Sequence, residues 1–388
     1  MHLSRTLIDS HIHFCDHYRL DQLSRYCRKI GADRIAVLSL PVRRRINFNP
    51  EVLVAKAHFP RNFYALGSFD LSTLLDVERN DAPKRSRTTE PLDLAAQVRE
   101  LWRLGCDGLK IFSGKSTFQR QLGLRLDGPI FLAALRQAER LGLTAVIHVA
   151  DPPVFWMEGH SPGFKPPFWE VDDRGEGVPL PGYEELQEQA LALLETCPDL
   201  RVVFPHLLMM AHDLDRLGGI LERHRHVWID LAPGLYFYGE LNRNRRTSRE
   251  FFHAFRNRIL FGSDGMWFAS RFTDIPYSGF RDNLHRSEYL LRYLQTEDEM
   301  DNPFVPGRRE RPVVKGLGLE QEVLDAVCGE NFFEAFSSSP RPIDSNACLA
   351  YIRKFQSQLA VSGADVFDRG ALEDAYAAFE AAPGVATR

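Results

Sequence analysis

Short runs of β-branched and aliphatic residues alternate along this chain with longer segments in which apolar residues recur every three to four positions. The short runs predict strands at Thr6–His11, Arg34–Leu40, Phe63–Phe69, Gly108–Phe112, Thr144–Val149, Arg201–His206, Val227–Leu231 and Arg258–Gly262. The segments between them predict helices, among them Asp21–Ile30, Leu92–Leu104, Pro129–Leu141, Tyr183–Thr196, Asp213–Arg223 and Arg249–Phe255. A last helix, Leu319–Phe336, follows a long insertion. Ile35-Ala36-Val37-Leu38 and Val202-Val203-Phe204 are apolar without alternation, as strands buried on both faces are. Strands alternating with helices give parallel βαβ units, and eight of them in series predict an α/β fold of the (β/α)8 TIM-barrel type. The runner-up is a doubly wound open sheet. The barrel is assigned to residues 1–340 and a C-terminal helical appendage, which is not an independent domain, to residues 341–388. The appendage holds two helices within Ser345–Ala382 that pack on the barrel or on the partner of a homo-oligomer, and Pro383–Arg388 reads as a disordered tail.

Composition narrows the function classes. An apolar content of 44% over 388 residues supports one large core. A net charge of −4 offers no general basic surface, so a nucleic-acid partner is not expected. There is no apolar run of 18 residues to cross a membrane, and Met1–Leu7 lacks the apolar stretch of a secretory signal. The six cysteines are dispersed without a Cys-x-x-Cys pair, which fits a reduced, cytoplasmic protein acting on a small molecule.

In such a barrel the chemistry belongs at the C-terminal ends of the strands. His11-Ile12-His13 ends the first strand, and residues two apart on a strand share a face. Lys110 lies on the fourth strand, His148 on the fifth, His206 at the end of the sixth, and Asp264 in Gly262-Ser263-Asp264-Gly265 after the eighth. Singly, each has a plain structural reading. His148 can be a hydrogen-bonded core residue, His206 a strand-end cap, Asp264 a turn former and Lys110 half of a rim ion pair. Their common position at strand ends favours a site. Asp9 alternates in register with His11 and His13, so it is expected to face the interior beside them and orient an imidazole.

Through Ile8-Asp9-Ser10-His11-Ile12-His13, Gly108-Leu109-Lys110, His148, Pro205-His206-Leu207, Ile259–Asp264 and Gly329-Glu330-Asn331-Phe332-Phe333, the chain resembles the amidohydrolase superfamily, and more closely its amidohydrolase-2 branch. The resemblance implies a metal-dependent hydrolase or, as in one sub-branch, a nonoxidative decarboxylase. It implies His11, His13, His148 and Asp264 as ligands of a divalent metal. Zn²⁺ is the leading choice, and Mn²⁺ or Fe²⁺ also suit that donor set. His206 matches a histidine that assists catalysis or binds a second metal, and Lys110 stands where binuclear members carry a carboxylated, bridging lysine. Asp264 and His206 are then the catalytic pair: Asp264 takes a proton from water and His206 hydrogen-bonds the substrate carbonyl. The sequence departs from the commoner Ala-His-Leu-Gly in reading Pro205-His206-Leu207-Leu208, which predicts a more apolar floor.

The expected reaction is hydrolysis of a small organic acid, lactone, ester or amide. A decarboxylase of the same fold is the alternative, and an inactive barrel serving as a binding protein is the second. Substrate contacts are expected from Phe155 and Trp156 in the irregular loop Asp151–Gly182, from Arg43 in Arg43-Arg44-Arg45, and from Lys115 after the fourth strand. The stretch Gly265–Val314, with Trp267, Arg271, Tyr277 and Arg281, reads as a long loop completing the pocket.

Overall fold

A computed structural model describes residues 7–41, 47–71, 74, 92–157, 180–234, 236–268, 279–302, 311–361 and 366–385. Its strands are β1 (Leu7–Cys15), β2 (Ala32–Leu38), β3 (Phe63–Gly67), β4 (Gly108–Gly114), β5 (Thr144–Val149), β6 (Val202–Phe204), β7 (Val227–Asp230), β8 (Ile259–Leu260) and β9 (Gly265–Phe268). They form one parallel sheet in the order β8-β7-β6-β5-β4-β3-β2-β1-β9. β8 and β9 are two halves of one interrupted strand. The first half pairs with β7 and the second with β1, while the Ser10 N–H donates to the Phe261 carbonyl at 2.9 Å. The ends of the sheet therefore meet, and the fold is a (β/α)8 TIM barrel.

The barrel interior is layered. Ile8, Ala36, Leu38, Tyr64, Leu66, Val146, Val203, Trp228 and Leu260 fill its lower part. The segment predicted as one last helix runs through Gln321–Asp325, a π turn at Ala326–Glu330 and Asn331–Ala335. It places Phe332 4.8 Å edge-on to Tyr64 and stacks it 4.5 Å from Phe336. Thr144, the first residue of β5, donates its hydroxyl to the Ala335 carbonyl at 2.6 Å. The N-terminal mouth is thus plugged, and polar side chains are left to the C-terminal end.

The helices Ser345–Val361 and Val366–Glu380 lie against the helices Asn49–His58 and Leu94–Leu104. Ala375, Phe379 and Ala382 share an apolar cluster with Leu53, Val54 and Ala57. That cover explains why Asn49–His58 shows no amphipathic stripe: every residue from Asn49 to Ala57 is buried. The expectation of a disordered tail fails for residues 383–385, because the Gly384 N–H bonds the Ala57 carbonyl at 3.0 Å. The long loop expected after the eighth strand instead contains a helix, Phe280–Gln295. Two of its buried positions are Asn283 and Ser287, so its inner face is partly polar and escapes an apolar-period reading. Among the described residues no helix is long and apolar enough to cross a membrane, and all six cysteines are buried and form no disulfide.

One buried ion pair joins several of these parts. Lys56, on the helix Asn49–His58, donates to the Gly105 carbonyl at 2.7 Å and to Asp107 Oδ2 at 2.6 Å. Asp107 also accepts from the Ala65 N–H of β3 and the Arg341 N–H, each at 2.7 Å. Removing one partner of such a pair strands a charge in a low-dielectric interior. Lys56→Met should therefore lower stability by about 3–5 kcal/mol in urea unfolding followed by circular dichroism. A midpoint equal to that of the wild type would show that the pair does not anchor these elements.

Candidate metal centre

The site begins with an irregularity in β1. Asp9 pairs with Ile35, and Ile12 pairs with Val37, so three steps on β1 match two on β2. This bulge inserts one residue and reverses the alternation of side chains. Ile8 packs in the barrel interior, whereas Ile12 and Phe14 pack outward against Leu23, Tyr26 and Cys27 of the helix Leu20–Ile30. His11 and His13 consequently turn inward. Asp9 does not join them as expected: its carboxylate accepts from the His11 N–H (3.2 Å), the Ser263 N–H (3.0 Å) and the Tyr26 hydroxyl (2.9 Å).

The imidazole of His11 is oriented instead by Asp230, at the end of β7, whose Oδ2 lies 2.7 Å from His11 Nδ1. With Nδ1 donating to the carboxylate, Nε2 keeps its lone pair. Asp230 Oδ1 accepts the His206 N–H at 3.1 Å and the Ala232 N–H at 3.0 Å, so one carboxylate ties three strand ends together. Strand ends one, four, five, six and eight drew attention in the sequence, and the seventh did not. Its signal was Trp228 followed two positions later by Asp230, the same inward parity as Val146 and His148 on β5. Gly262 makes this packing possible, because a Cβ there would lie 3.0 Å from His11 Cβ and 3.4 Å from Asp230 Cγ.

Among the described residues, His11, His13 and Asp264 bring one donor atom each to within 4.8 Å of the others, all three buried. His11 Nε2 and His13 Nε2 are 3.2 Å apart, and they lie 3.7 Å and 3.4 Å from Asp264 Oδ1. Two ligands of a tetrahedral ion, each about 2.1 Å from it, are about 3.4 Å apart. The three separations bracket that value, so the donor set fits a divalent cation. Burial, and then the nearby charge of Lys110, holds His11 well below its ordinary pKa; burial likewise lowers His13. Both shifts favour the neutral ring, the form that ligation requires. Burial alone would raise Asp264, but the hydrogen bond with His13, the neighbouring His206 and His11 imidazoles and the Arg286 guanidinium hold it well below the usual carboxylate range.

The remaining predicted residues surround this cluster to different degrees. Lys110 faces inward, with Nζ 3.2 Å from His11 Nε2, and burial pushes its pKa down to about 8. His148 lies outside the converging triad. Its Nε2 is 2.9 Å from the Ala150 carbonyl, and its ring centroid is 5.0 Å from that of His206. His206 follows β6 and opens a run of four residues, His206–Met209, with φ between 52° and 58°. A left-handed turn of non-glycine residues costs roughly 1–2 kcal/mol per residue. It is held by Asp230 on the His206 N–H, by Gln187 donating to Leu208 O (3.0 Å) and by Tyr183 donating to Met209 O (2.9 Å). His206 Nδ1 bonds the Ala232 carbonyl at 2.8 Å, and burial lowers its pKa.

Of the expected substrate contacts, Lys115 pairs with Asp151, Phe155 is buried, and Trp156 Nε1 donates to the Pro181 carbonyl at 3.2 Å across the base of its loop. Arg43, its neighbours Arg44 and Arg45, Arg271, Tyr277 and residues 158–179 of the aromatic loop lie outside the described residues. Arg286, on the helix Phe280–Gln295, went unread in the sequence; its guanidinium lies 3.6 Å from Asp264 Oδ2.

The family model described as amidohydrolase, Amidohydro_2, matches residues 8–331. No curated protein matches the chain. Among solved structures, 2,6-dihydroxybenzoate decarboxylase from Rhizobium is 13% identical, with 85% of this chain and 98% of that one covered and a TM-score of 0.49. 5-Carboxyvanillate decarboxylase from Sphingomonas paucimobilis is 15% identical over 86% of this chain and 99% of that one, with a TM-score of 0.46. A probable 2-pyrone-4,6-dicarboxylic acid hydrolase from Acinetobacter baumannii is 12% identical over 85% and 99%, with a TM-score of 0.46.

The place of Asp230 gives a direct test. Asn in its place turns one acceptor oxygen into a donor and cannot serve His11 Nδ1 and the two backbone N–H groups together. Loss of such a support typically weakens metal binding about 10–100-fold. Asp230→Asn should show that loss for Zn²⁺ in competition with a chromophoric chelator; wild-type affinity would remove Asp230 from the centre.

Proposed function

Because the chain belongs to the amidohydrolase (Amidohydro_2) family, we propose that it is a divalent-metal-dependent hydrolase of a small organic acid, lactone, ester or amide. The observation that carries this reading is the convergence of His11 Nε2, His13 Nε2 and Asp264 Oδ1 in a buried site. We assign these three residues as ligands, with His148 as the fourth once its ring releases the Ala150 carbonyl or presents Nδ1. Bound there, Zn²⁺, or alternatively Mn²⁺ or Fe²⁺, polarises a substrate carbonyl and acidifies water toward neutrality.

The chain's own groups supply the rest. Asp264, held ionised, accepts a proton. His206 donates Nδ1–H to the Ala232 carbonyl, which leaves Nε2 as its lone-pair nitrogen. The ring therefore takes up a proton at Nε2 before it can donate a hydrogen bond to an oxygen that gains charge. The lowered pKa of Lys110 gives it a larger neutral fraction than a surface lysine has, which a bridging carbamate would need if a second ion binds. Trp156 is assigned to the substrate rim. Six buried cysteines without a disulfide accord with a reducing compartment, and we take the cytoplasm as its place.

Nonoxidative decarboxylation is the second reading. The observation favouring it is Arg286, beside Asp264, a cation able to hold a substrate carboxylate. Turnover of a panel of small acids, lactones and esters by Zn²⁺-loaded protein in H₂¹⁸O separates the two. Hydrolysis puts ¹⁸O into the product. Decarboxylation releases CO₂ and, in D₂O, leaves deuterium on the carbon that lost it. Turnover unaffected by stripping the metal would overturn both.

The role of His206 is tested separately. His206→Asn should keep the wild-type metal content while kcat falls by about 10²–10³. Loss of one ion from a wild type that binds two would make His206 a ligand of the second metal.

A further inference from the structure

Tyr26 lies on the helix Leu20–Ile30, outside the barrel wall, and is wholly buried. Its ring packs edge-on to Trp267 at 5.6 Å. Its hydroxyl reaches three side chains from three other elements: Asp9 Oδ2 in β1 at 2.9 Å, Ser263 Oγ at 3.2 Å and Ser287 Oγ at 2.5 Å. Each neighbours a group of the metal centre. Asp9 brackets the bulge that turns His11 inward and holds the Ser263 N–H. Ser263 precedes Asp264, and its hydroxyl accepts the Gly265 N–H at 3.1 Å, closing the turn in which Asp264 adopts φ 53°. Ser287 follows Arg286, and its helix is also locked to β9 by Asn283, whose amide exchanges two hydrogen bonds with Met266 at 2.7 and 2.8 Å.

We propose that Tyr26 is a positioning residue for the metal centre, its hydroxyl fixing the β1 bulge, the Ser263–Asp264 turn and the Arg286 helix in one register. The inference rests on the metal-binding reading above. The physical argument is one of satisfaction and geometry. The Asp9 carboxylate is fully buried; the His11 and Ser263 N–H groups and the Ser263 side chain bond it, and the Tyr26 hydroxyl is the donor that ties it to the helix outside the barrel. Removing it leaves a buried oxygen short of a partner and frees the turn beside Asp264. A bulge whose brace is lost can relax toward regular pairing, which would turn His11 and His13 away from Asp264.

Tyr26→Phe keeps the ring and removes only the hydroxyl. It should weaken Zn²⁺ binding about tenfold, measured by competition with a chromophoric chelator. Tyr64→Phe is the matched control: Tyr64 is equally buried, but its hydroxyl donates to the Ser337 carbonyl at 2.8 Å near the plugged end of the barrel. It should lose stability and keep wild-type Zn²⁺ affinity. If Tyr26→Phe does not fold, Ser287→Ala cuts one arm of the same network and should show a smaller loss of the same sign. Wild-type affinity in the folded Tyr26→Phe protein, or in Ser287→Ala where that protein carries the test, overturns the positioning role and leaves the metal reading standing. Equal losses in Tyr26→Phe and Tyr64→Phe also overturn it. A wild type that binds none of Zn²⁺, Mn²⁺ and Fe²⁺ overturns both.

Discussion

The single extra residue in β1 is the constraint on which the site depends. Without it, the side chains that share a face with Ile8 would continue inward, and Ile12 would stand where the histidines are. With it, the lower barrel keeps its apolar filling while the next turn of the same strand presents two imidazoles. The closing strand is broken at the same level. Its first half bonds β7, its second half bonds β1, and the interruption between them carries Asp264. Bulge and interruption face each other and are stitched by Asp9, whose two oxygens join the backbone of both to the helix Leu20–Ile30.

Three aspartates of similar burial serve three ends because their neighbours differ. Asp9 accepts from backbone and a tyrosine, and desolvation dominates, raising its pKa to about 6. Asp230 is also raised by burial, against the opposing influence of His206 and Lys110, and it orients an imidazole. Asp264 sits among His13, His206, His11 and Arg286, whose combined effect overcomes burial and keeps it ionised. Of these three buried carboxylates, Asp264 is the one whose neighbours favour the ionised form, which is the form a metal ligand needs.

Backbone strain gathers at the same end of the barrel. Ala150, Asp264 and the run His206–Met209 all take positive φ without being glycine. Each lies just beyond a strand of the barrel, where the chain turns sharply. The cost is offset by buried side-chain acceptors and donors, such as Asp230, Gln187 and Tyr183, that fix those turns. The opposite mouth carries the stacked Phe332 and Phe336, and the helical appendage covers the outer face of Asn49–His58.

Period and composition marked the eight strands, their order and the places at or near their C-terminal ends of His11, His13, Lys110, His148, His206 and Asp264, because burial on both faces is a local property of the sequence; the wholly buried helix Asn49–His58 and the helix Phe280–Gln295 with its partly polar inner face carry no such period. They also marked the last helix to within a few residues. Side-chain direction at the site was decided only by tertiary structure. Asp9 shares the parity of His11 in the sequence and the opposite face in the fold, since a bulge depends on pairing with a strand more than twenty residues away. Asp230, Arg286 and Tyr26 were hidden for the same reason. A carboxylate, a guanidinium and a phenol on separate elements carry no local pattern, and they acquire a role when the eighth strand closes on the first and brings them within hydrogen-bonding or ion-pair distance of Asp9, His11 and Asp264.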